Sequence, residues 1–221
     1  MTSTARNGLR VLDLFSCQGG AGMGYNLAGF DVTGVDLAPQ PRYPFAFIQG
    51  DAIDYLRAHG EEFDFIHASP PCQLDSDCQR IQGRVHPDLI GPTRTALQST
   101  GIPWVIENVN GARPKLRGPV ELCGTMFGLE TYRHRLFETG GGFTFSPAAH
   151  PLHTAPQAKM GRPIPAGSYG QFIGNFSGVE HARQVMNVPW MNRDGIRECI
   201  PPAYTHWVAT QFLASVQEVA A

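Results

Sequence analysis

A chain of 221 residues can bury one α/β core with a small appended lobe, and is too short for two full domains. Five cysteines, odd in number and without C-x-x-C spacing, describe neither a disulfide framework nor a regular zinc motif, so reduced thiols in a cytoplasm are expected. The first eight residues lack an apolar signal core and no stretch approaches the ~20 apolar residues of a membrane span, which predicts a soluble protein that is not exported. The net charge of −2 argues against a broad polyanion footprint but hides a gradient. Residues 1–70 hold four Lys/Arg against eight Asp/Glu, whereas 71–170 hold ten against seven, so any nucleic-acid contact belongs to the middle section.

In chain order, Leu9–Phe15 reads as a buried strand that runs into Ser16-Cys17-Gln18-Gly19-Gly20-Ala21-Gly22-Met23-Gly24. Glycines at 19, 20, 22 and 24 allow a sharp turn and close approach to a ligand, and Met23–Ala28 has helical composition. A nucleotide-type fold and a tight structural turn both fit that loop. Gly29–Asp36 is the next strand, and its terminal Asp36 falls where nucleotide folds place an acid on a ribose. Phe45–Ile48 is a short third strand. Asp51 after it either accepts from an adenine amine or caps the helix expected over Ile53–Ala58.

Phe63–Ala68 is an apolar fourth strand that stops at Ser69-Pro70-Pro71-Cys72-Gln73. Two prolines make a rigid turn and aim the thiol at the strand's end, where Cys72 is either a small buried cap or a nucleophile. Leu74–Pro87 is a polar loop containing Arg80, Arg84 and His86, of a length typical of lids. A helix over Asp88–Ser99 must accommodate Gly91-Pro92, and Ile102–Ile106 forms a fifth strand ending in Glu107-Asn108-Val109. A carboxyl at the end of an apolar strand is partly desolvated and holds a proton, which makes Glu107 an acid candidate. Tyr132–Phe137 alternates like a strand with Arg133 and Arg135 on one face, fit to bind a carbonyl, a phosphate or the site's own carboxylate.

Gly140–Gly178 is rich in glycine, proline and histidine and reads as an irregular insert. His150 and His153 have metal-ligand spacing, but no cysteine or carboxylate stands close to them in sequence. They are therefore expected to be solvated or to face a nucleic acid, and no metal is expected. Val179–Met186 and Ala203–Val219 are expected helices, the last entered through Pro201-Pro202.

Taken together, Asp13-Leu14-Phe15-Ser16-Cys17-Gln18-Gly19-Gly20, Asp36, Asp51, Pro71-Cys72-Gln73, Glu107-Asn108-Val109 and Arg133-His134-Arg135 follow the motif order of the DNA (cytosine-5) methyltransferases. The chain resembles that family, in particular its short bacteriophage-encoded members, over residues 10–138 and more loosely over 185–213. The resemblance implies a Rossmann-like S-adenosylmethionine-dependent methyltransferase fold with a reduced target-recognition lobe. Its divisions would be a catalytic and donor-binding core over 1–138, a recognition insert over 139–178 and C-terminal helices over 179–221 that complete the core. It implies that Cys72 adds to cytosine C6 while Glu107 protonates N3, that Arg135 and Arg133 hold the base, and that Asn108 braces the loop. Phe15, Ser16, Cys17, Gln18, Gly19, Gly20, Asp36, Leu37, Asp51, Ala52 and Pro70 would bind S-adenosylmethionine or a modified analogue. Gln73, Arg80, Arg84, Lys159 and Arg162 would contact DNA with the target base flipped out. A monomer in a host bacterial cytoplasm is expected.

The chain departs from the family at three places: Thr131 stands where a glutamine is usual, Arg197-Glu198-Cys199-Ile200-Pro201-Pro202 replaces a Gly-Asn segment, and only about forty residues remain for target recognition. So short a lobe reads few base edges, which implies a short or relaxed target sequence. Other readings are a sulfonium donor bearing a larger group, an RNA or free pyrimidine nucleotide as substrate, and a catalytically dead DNA-binding homologue.

Overall fold

A computed structural model of the chain describes residues 5–71 and 88–220. Strands β1 (Arg10–Leu14), β2 (Asp31–Asp36), β3 (Ala46–Gln49), β4 (Phe65–Ala68), β5 (Trp104–Asn108), β6 (Val120–Leu122) and β7 (Arg135–Gly140) form one sheet ordered β3-β2-β1-β4-β5-β7-β6. Strands β1 to β5 run parallel, and β7 lies antiparallel between β5 and β6. The described α-helices are α1 (Gly20–Leu27), α2 (Ala52–His59), α3 (Ile90–Thr100), α4 (Val179–Met186), α5 (Arg193–Glu198) and α6 (Pro202–Ala220), joined by short 3-10 turns at Gly60–Glu62, Asn110–Lys115 and Gly124–Phe127. The architecture is Rossmann-like α/β.

Why these strands are apolar throughout follows from their cover. A parallel sheet is buried on both faces, so its central strands have no polar side to alternate with. Val11, Phe65, Val105 and Phe137 point into a core shared with Tyr25 of α1 and Tyr204, Val208 and Phe212 of α6. Leu12, Leu14, Ile66, Ala68 and Ile106 point the other way, against Leu56 of α2 and Leu97 of α3. A third, smaller core joins Phe172 and Phe176 of the irregular stretch to Ala182, Met186, Val188, Met191 and Ile196. Helices α4 and α5 thus pack with the end of the expected insert, while α6 returns to the sheet.

Helix α1 meets α6 closely enough to exclude a side chain. A Cβ on Gly24 would stand 2.0 Å from Thr205 Oγ1 and 2.2 Å from the Pro202 carbonyl oxygen. The Thr205 hydroxyl also donates to the Ala21 carbonyl at 2.8 Å. Two expectations change at the other end of the sheet. Strand β7 begins at Arg135 rather than Tyr132, because the Arg133 carbonyl accepts from the Tyr204 hydroxyl at 2.6 Å instead of joining the ladder. Arg133 and Arg135 therefore do not share a strand face. Strand β6 and helix α5 were not legible, and Gly91-Pro92 is tolerated because it falls in the first turn of α3. Among the described residues no helix is long and apolar enough to cross a membrane.

One buried ion pair locks α3 to β7. Arg94 Nε lies 2.6 Å from Glu138 Oε1 and Arg94 Nη2 lies 2.7 Å from Oε2, with side chains 9% and 2% exposed. The Arg117 amide donates to the same carboxylate at 2.8 Å, and Arg94 Nη2 to the Lys115 carbonyl at 2.6 Å. Removing one partner strands the other charge in the interior. Arg94→Met is expected to lower the unfolding free energy by ~3–5 kcal/mol in urea titration; a loss of less than ~1 kcal/mol would show the pair to be solvent-screened instead.

Candidate active site

The parallel register builds a single rank of residues at one edge of the sheet. Leu14 pairs with Val35 and with Ala68, Val35 with Ile48, and Ala68 with Ile106. One step further along each strand stand Phe15, Asp36, Gln49, Ser69 and Glu107. The strand order reverses between β1 and β4, and the crevice at such a reversal, outside the carboxyl ends, is where open α/β sheets bind ligands.

On the β1 side the loop is held in costly backbone geometry. Phe15 and Cys17 adopt φ of 59° and 44°, each left-handed and worth ~1–2 kcal/mol of strain for a non-glycine residue, and Gly19 at φ 80° opens α1. The curl presents the Cys17 amide to Asp36 Oδ2 at 2.9 Å, while Asp36 Oδ1 accepts from the Ala38 amide at 3.0 Å. Beside it Leu37 leaves 73% of its surface in solvent. Asp51 Oδ1 accepts from the Ile53 and Asp54 amides, so the N-cap of α2 is the role the geometry assigns it, with Ala52 buried behind. The Ser16 hydroxyl is buried without a hydrogen-bond partner among the described residues.

Two loop residues turn away from the crevice. Gln18 Nε2 donates to Asn192 Oδ1 at 2.8 Å, its Oε1 accepts from the Asn192 amide at 3.1 Å, and its carbonyl accepts from Trp190 Nε1 at 2.7 Å. Gln18 thus fastens the C-terminal segment to the loop. A Cβ on Gly20 would lie 2.5 Å from the Ile200 carbonyl oxygen, so packing against the C-terminal segment requires its smallness. The Cys17 thiol, 3.5 Å from Glu198 Oε2, is held well above its ordinary pKa first by burial and then by that carboxylate.

Beneath the loop lies an acid that sequence reasoning passed over. Asp13 Oδ2 accepts from the Gly22 amide at 3.1 Å and from the Tyr43 hydroxyl at 2.9 Å, whereas Oδ1 is buried without a partner among the described residues. Burial pushes its carboxyl up to about 7 against the opposing pull of those two donors. Its mid-strand position on an apolar run was the available signal, since such a residue needs a built partner set.

On the β4–β5 side Glu107 is 5% exposed and its carboxyl is raised by burial, opposed by Arg135, Arg133 and a Ser69 hydrogen bond. Arg135 Nε stands 2.9 Å from Glu107 Oε1, a charge contact rather than an aligned hydrogen bond, because among the described residues Oε1 has no partner of proper angle. Behind Ser69 runs a chain that the sequence did not reveal: Ser69 Oγ is 2.9 Å from His67 Nε2, and His67 Nδ1 is 3.0 Å from the Tyr25 hydroxyl. With Glu107 ionised the donors run one way, Tyr25 to His67 to Ser69 to Glu107, which requires the Nε2–H tautomer. Burial lowers His67 to about 3, so the ring is neutral. Asn108 Nδ2 donates to the carbonyl of the buried Pro70 at 3.0 Å, and Asn108 Oδ1 accepts from the Val109 amide.

Cys72, Gln73, Arg80 and Arg84 lie outside the described residues. Arg133, expected to hold the base, instead donates from Nε, Nη1 and Nη2 to the Cys199, Phe172 and Arg197 carbonyls at 2.7, 3.0 and 2.7 Å. Burial and the neighbouring Arg135 lower it to about 10, and its three committed donors make it a clamp on the C-terminal segment. Lys159 and Arg162 are exposed at the two ends of one turn. His150 and His153 are not isolated from thiols as their sequence neighbourhood suggested. The chain folds back past β6, and Cys123 Sγ comes within 3.3 Å of His153 Nε2.

No family model and no curated protein matches the chain. Among solved structures it is similar to the Dnmt2 methyltransferase of S. pombe, 21% identical with a TM-score of 0.42, covering 59% of this chain and 48% of that one. It is similar also to a SAM-dependent methyltransferase of Agrobacterium tumefaciens (20% identical, TM-score 0.29, 48% of this chain and 40% of that). A TehB-like SAM-dependent methyltransferase of Corynebacterium glutamicum overlaps 62% of this chain and 80% of its own at 18% identity and a TM-score of 0.32. The chain thus spans less than half the length of the first two. Likeness this partial bears on neither reaction nor substrate, and the fold stands on its strand order.

The Asp13 environment has a measurable signature. Its folded pKa of about 7 exceeds the ordinary 3.8, so between those values the folded protein holds a proton that the unfolded chain has released, and stability falls as pH rises through that window. Each pH unit costs up to ~1.4 kcal/mol. Asp13→Asn lacks this slope, so its stability relative to the parent is expected to climb by a few kcal/mol, on the order of 3, between pH 4 and 7 and to level off above. Parallel urea-stability curves over that range would contradict the assignment.

Proposed function

We propose that the chain transfers a methyl group from S-adenosylmethionine to C5 of cytosine in DNA. The observation that carries the reading is Glu107: buried, raised by burial, held against Arg135, and one strand from the proline turn that leads into Cys72. A carboxyl whose hold on its proton is strengthened by burial is what protonation of cytosine N3 calls for.

The donor's fit is supported by the β1–β2 side of the crevice. Asp36, set by two backbone amides, is suited to the ribose hydroxyls, the exposed Leu37 to an adenine face, and the curled Phe15–Gly19 loop to the amino-acid end. S-adenosylmethionine supplies, when bound, an electrophilic methyl group. The chain's residues make C5 able to receive it. The Cys72 thiolate forms a bond to C6, Glu107 gives its proton to N3, and the electron pair so displaced enriches C5. Arg135 balances the charge on Glu107 after the proton has left, and Asn108 ties the β5 end to the turn that bears the nucleophile. Release of the C5 proton to solvent then expels the Cys72 sulfur as thiolate, and N3 returns its proton to Glu107, which restores the ring. Neither ring carbon is reachable within a duplex, so the base is flipped, and a lobe of about forty residues implies a short target sequence.

The decisive experiment is mass spectrometry of nucleosides from DNA incubated with the purified protein and S-adenosylmethionine. A methyl increment on cytosine is expected, lost in Cys72→Ser and reduced by ~10²–10⁴-fold in Glu107→Gln. The rate of the parent should fall as pH rises through the elevated Glu107 pKa, because the acid form is the active one. Unmodified DNA beside methylated RNA or free nucleotide would overturn the substrate, a heavier cytosine the donor, and undiminished turnover by Cys72→Ser the mechanism.

A further inference from the structure

We propose that the chain holds a structural zinc ion on Cys123, His134, His150 and His153. Cys123 follows β6, His134 immediately precedes β7, and the other two histidines lie in the irregular stretch beyond it. One donor atom from each lies within 4.8 Å of every other. Cys123 Sγ is 3.3 Å from His153 Nε2, which is itself 3.0 Å from His150 Nε2. The three imidazole centroids stand 5.0, 5.1 and 5.7 Å apart, ringed around a common point.

Hydrogen bonding accounts for the Cys123 thiol, which donates to the Tyr132 carbonyl at 3.1 Å, but not for the imidazoles gathered around its sulfur. A ring nitrogen carries either one in-plane lone pair or one hydrogen, so His153 Nε2 can make one aligned hydrogen bond while a sulfur and a second nitrogen both face it. A cation at the centre satisfies every donor at once. Tetrahedral zinc, with bonds of about 2.3 Å to sulfur and 2.0–2.1 Å to nitrogen, sets its ligand atoms roughly 3.3–3.6 Å apart. The separations of 3.0 and 3.3 Å lie at the near side of that spacing, and the widest, within 4.8 Å, asks at most roughly 1.2–1.5 Å of contraction.

The surroundings favour ligation. His153 is stacked on Tyr132 with centroids 3.8 Å apart, which fixes the ring's plane. Glu121 Oε1 lies 3.8 Å from His134 Nε2, beyond hydrogen-bond reach, and sets a negative charge beside the cluster. One thiolate and three imidazoles form a borderline-soft tetrahedral set that suits zinc, and four protein ligands leave no open position for catalysis. Binding replaces the Cys123 S–H bond with a sulfur–zinc bond and releases the proton to solvent. The ion would staple the start of the irregular lobe to the β6–β7 hairpin, one residue from Arg135.

The test is elemental analysis of the full chain, produced in zinc-supplemented medium without a histidine tag. One zinc per chain is expected, lost in the double variant His150→Ala, His153→Ala. Both residues are exposed, so the variant should keep the parent's circular dichroism while its thermal midpoint falls to that of the chelator-treated parent. Cobalt substitution should give tetrahedral ligand-field bands and one thiolate charge-transfer band, the latter absent in Cys123→Ser. A parent without zinc that takes up none on titration, or a double variant that binds as much as the parent, overturns the proposal. None of these readouts is methyl transfer, so the site stands or falls apart from the activity.

Discussion

Everything at the candidate site depends on strand register. Because β1, β2, β4 and β5 run parallel and in step, four residues distant in sequence, Phe15, Asp36, Ser69 and Glu107, finish on one line. A slip of one residue in a single strand would carry its side chains to the opposite face. Register is in turn enforced by the two covered faces, since a slipped strand would trade Phe65 for Ile66 and leave neither core filled.

The rank divides into two chemical halves. The β1–β2 half offers backbone amides, an acid held by them and an exposed leucine, an environment for a ligand bound through many weak contacts. The β4–β5 half concentrates ionisable groups in the interior, where an unpaired charge is prohibitive and each one has been given a counterpart. Glu107 answers Arg135, and the neutral His67 carries hydrogen bonds without carrying charge. Tyr25, Ser69 and the imidazole thereby form a continuous polar path through an otherwise apolar core, with its open end at the carboxylate.

How much of this could be read in advance depended on whether the determining contact was local. Buried parallel strands announce themselves as apolar runs, so β1, β2, β4 and β5 and the placement of Asp36 and Glu107 at their ends were legible. The Asp51 cap was one of two local readings, and it is the one visible in the structure, through Oδ1. What escaped depended on distant partners. Arg133 looks like a strand residue until the carbonyls of Phe172, Arg197 and Cys199 claim its guanidinium. Gln18 looks like a ligand contact until Asn192 meets it across 174 residues of chain. His150 and His153 looked solitary because Cys123 is near them only in space. The nucleophile's setting is argued from sequence alone, as Cys72 lies outside the described residues.

The tight seating of Gly24 against Thr205 also sets an order on biosynthesis. Helix α1 leaves the ribosome about 180 residues before the helix that covers it, which at ordinary elongation rates is roughly 10–40 s. During that interval Tyr25 and the apolar side of β1 have no lid, and the glycine loop has neither Gln18's partner nor the Ile200 backbone against which Gly20 rests. The geometry of the glycine loop is thus completed from the C-terminal side of the chain, and the crevice it borders takes its shape only when α6 closes on α1.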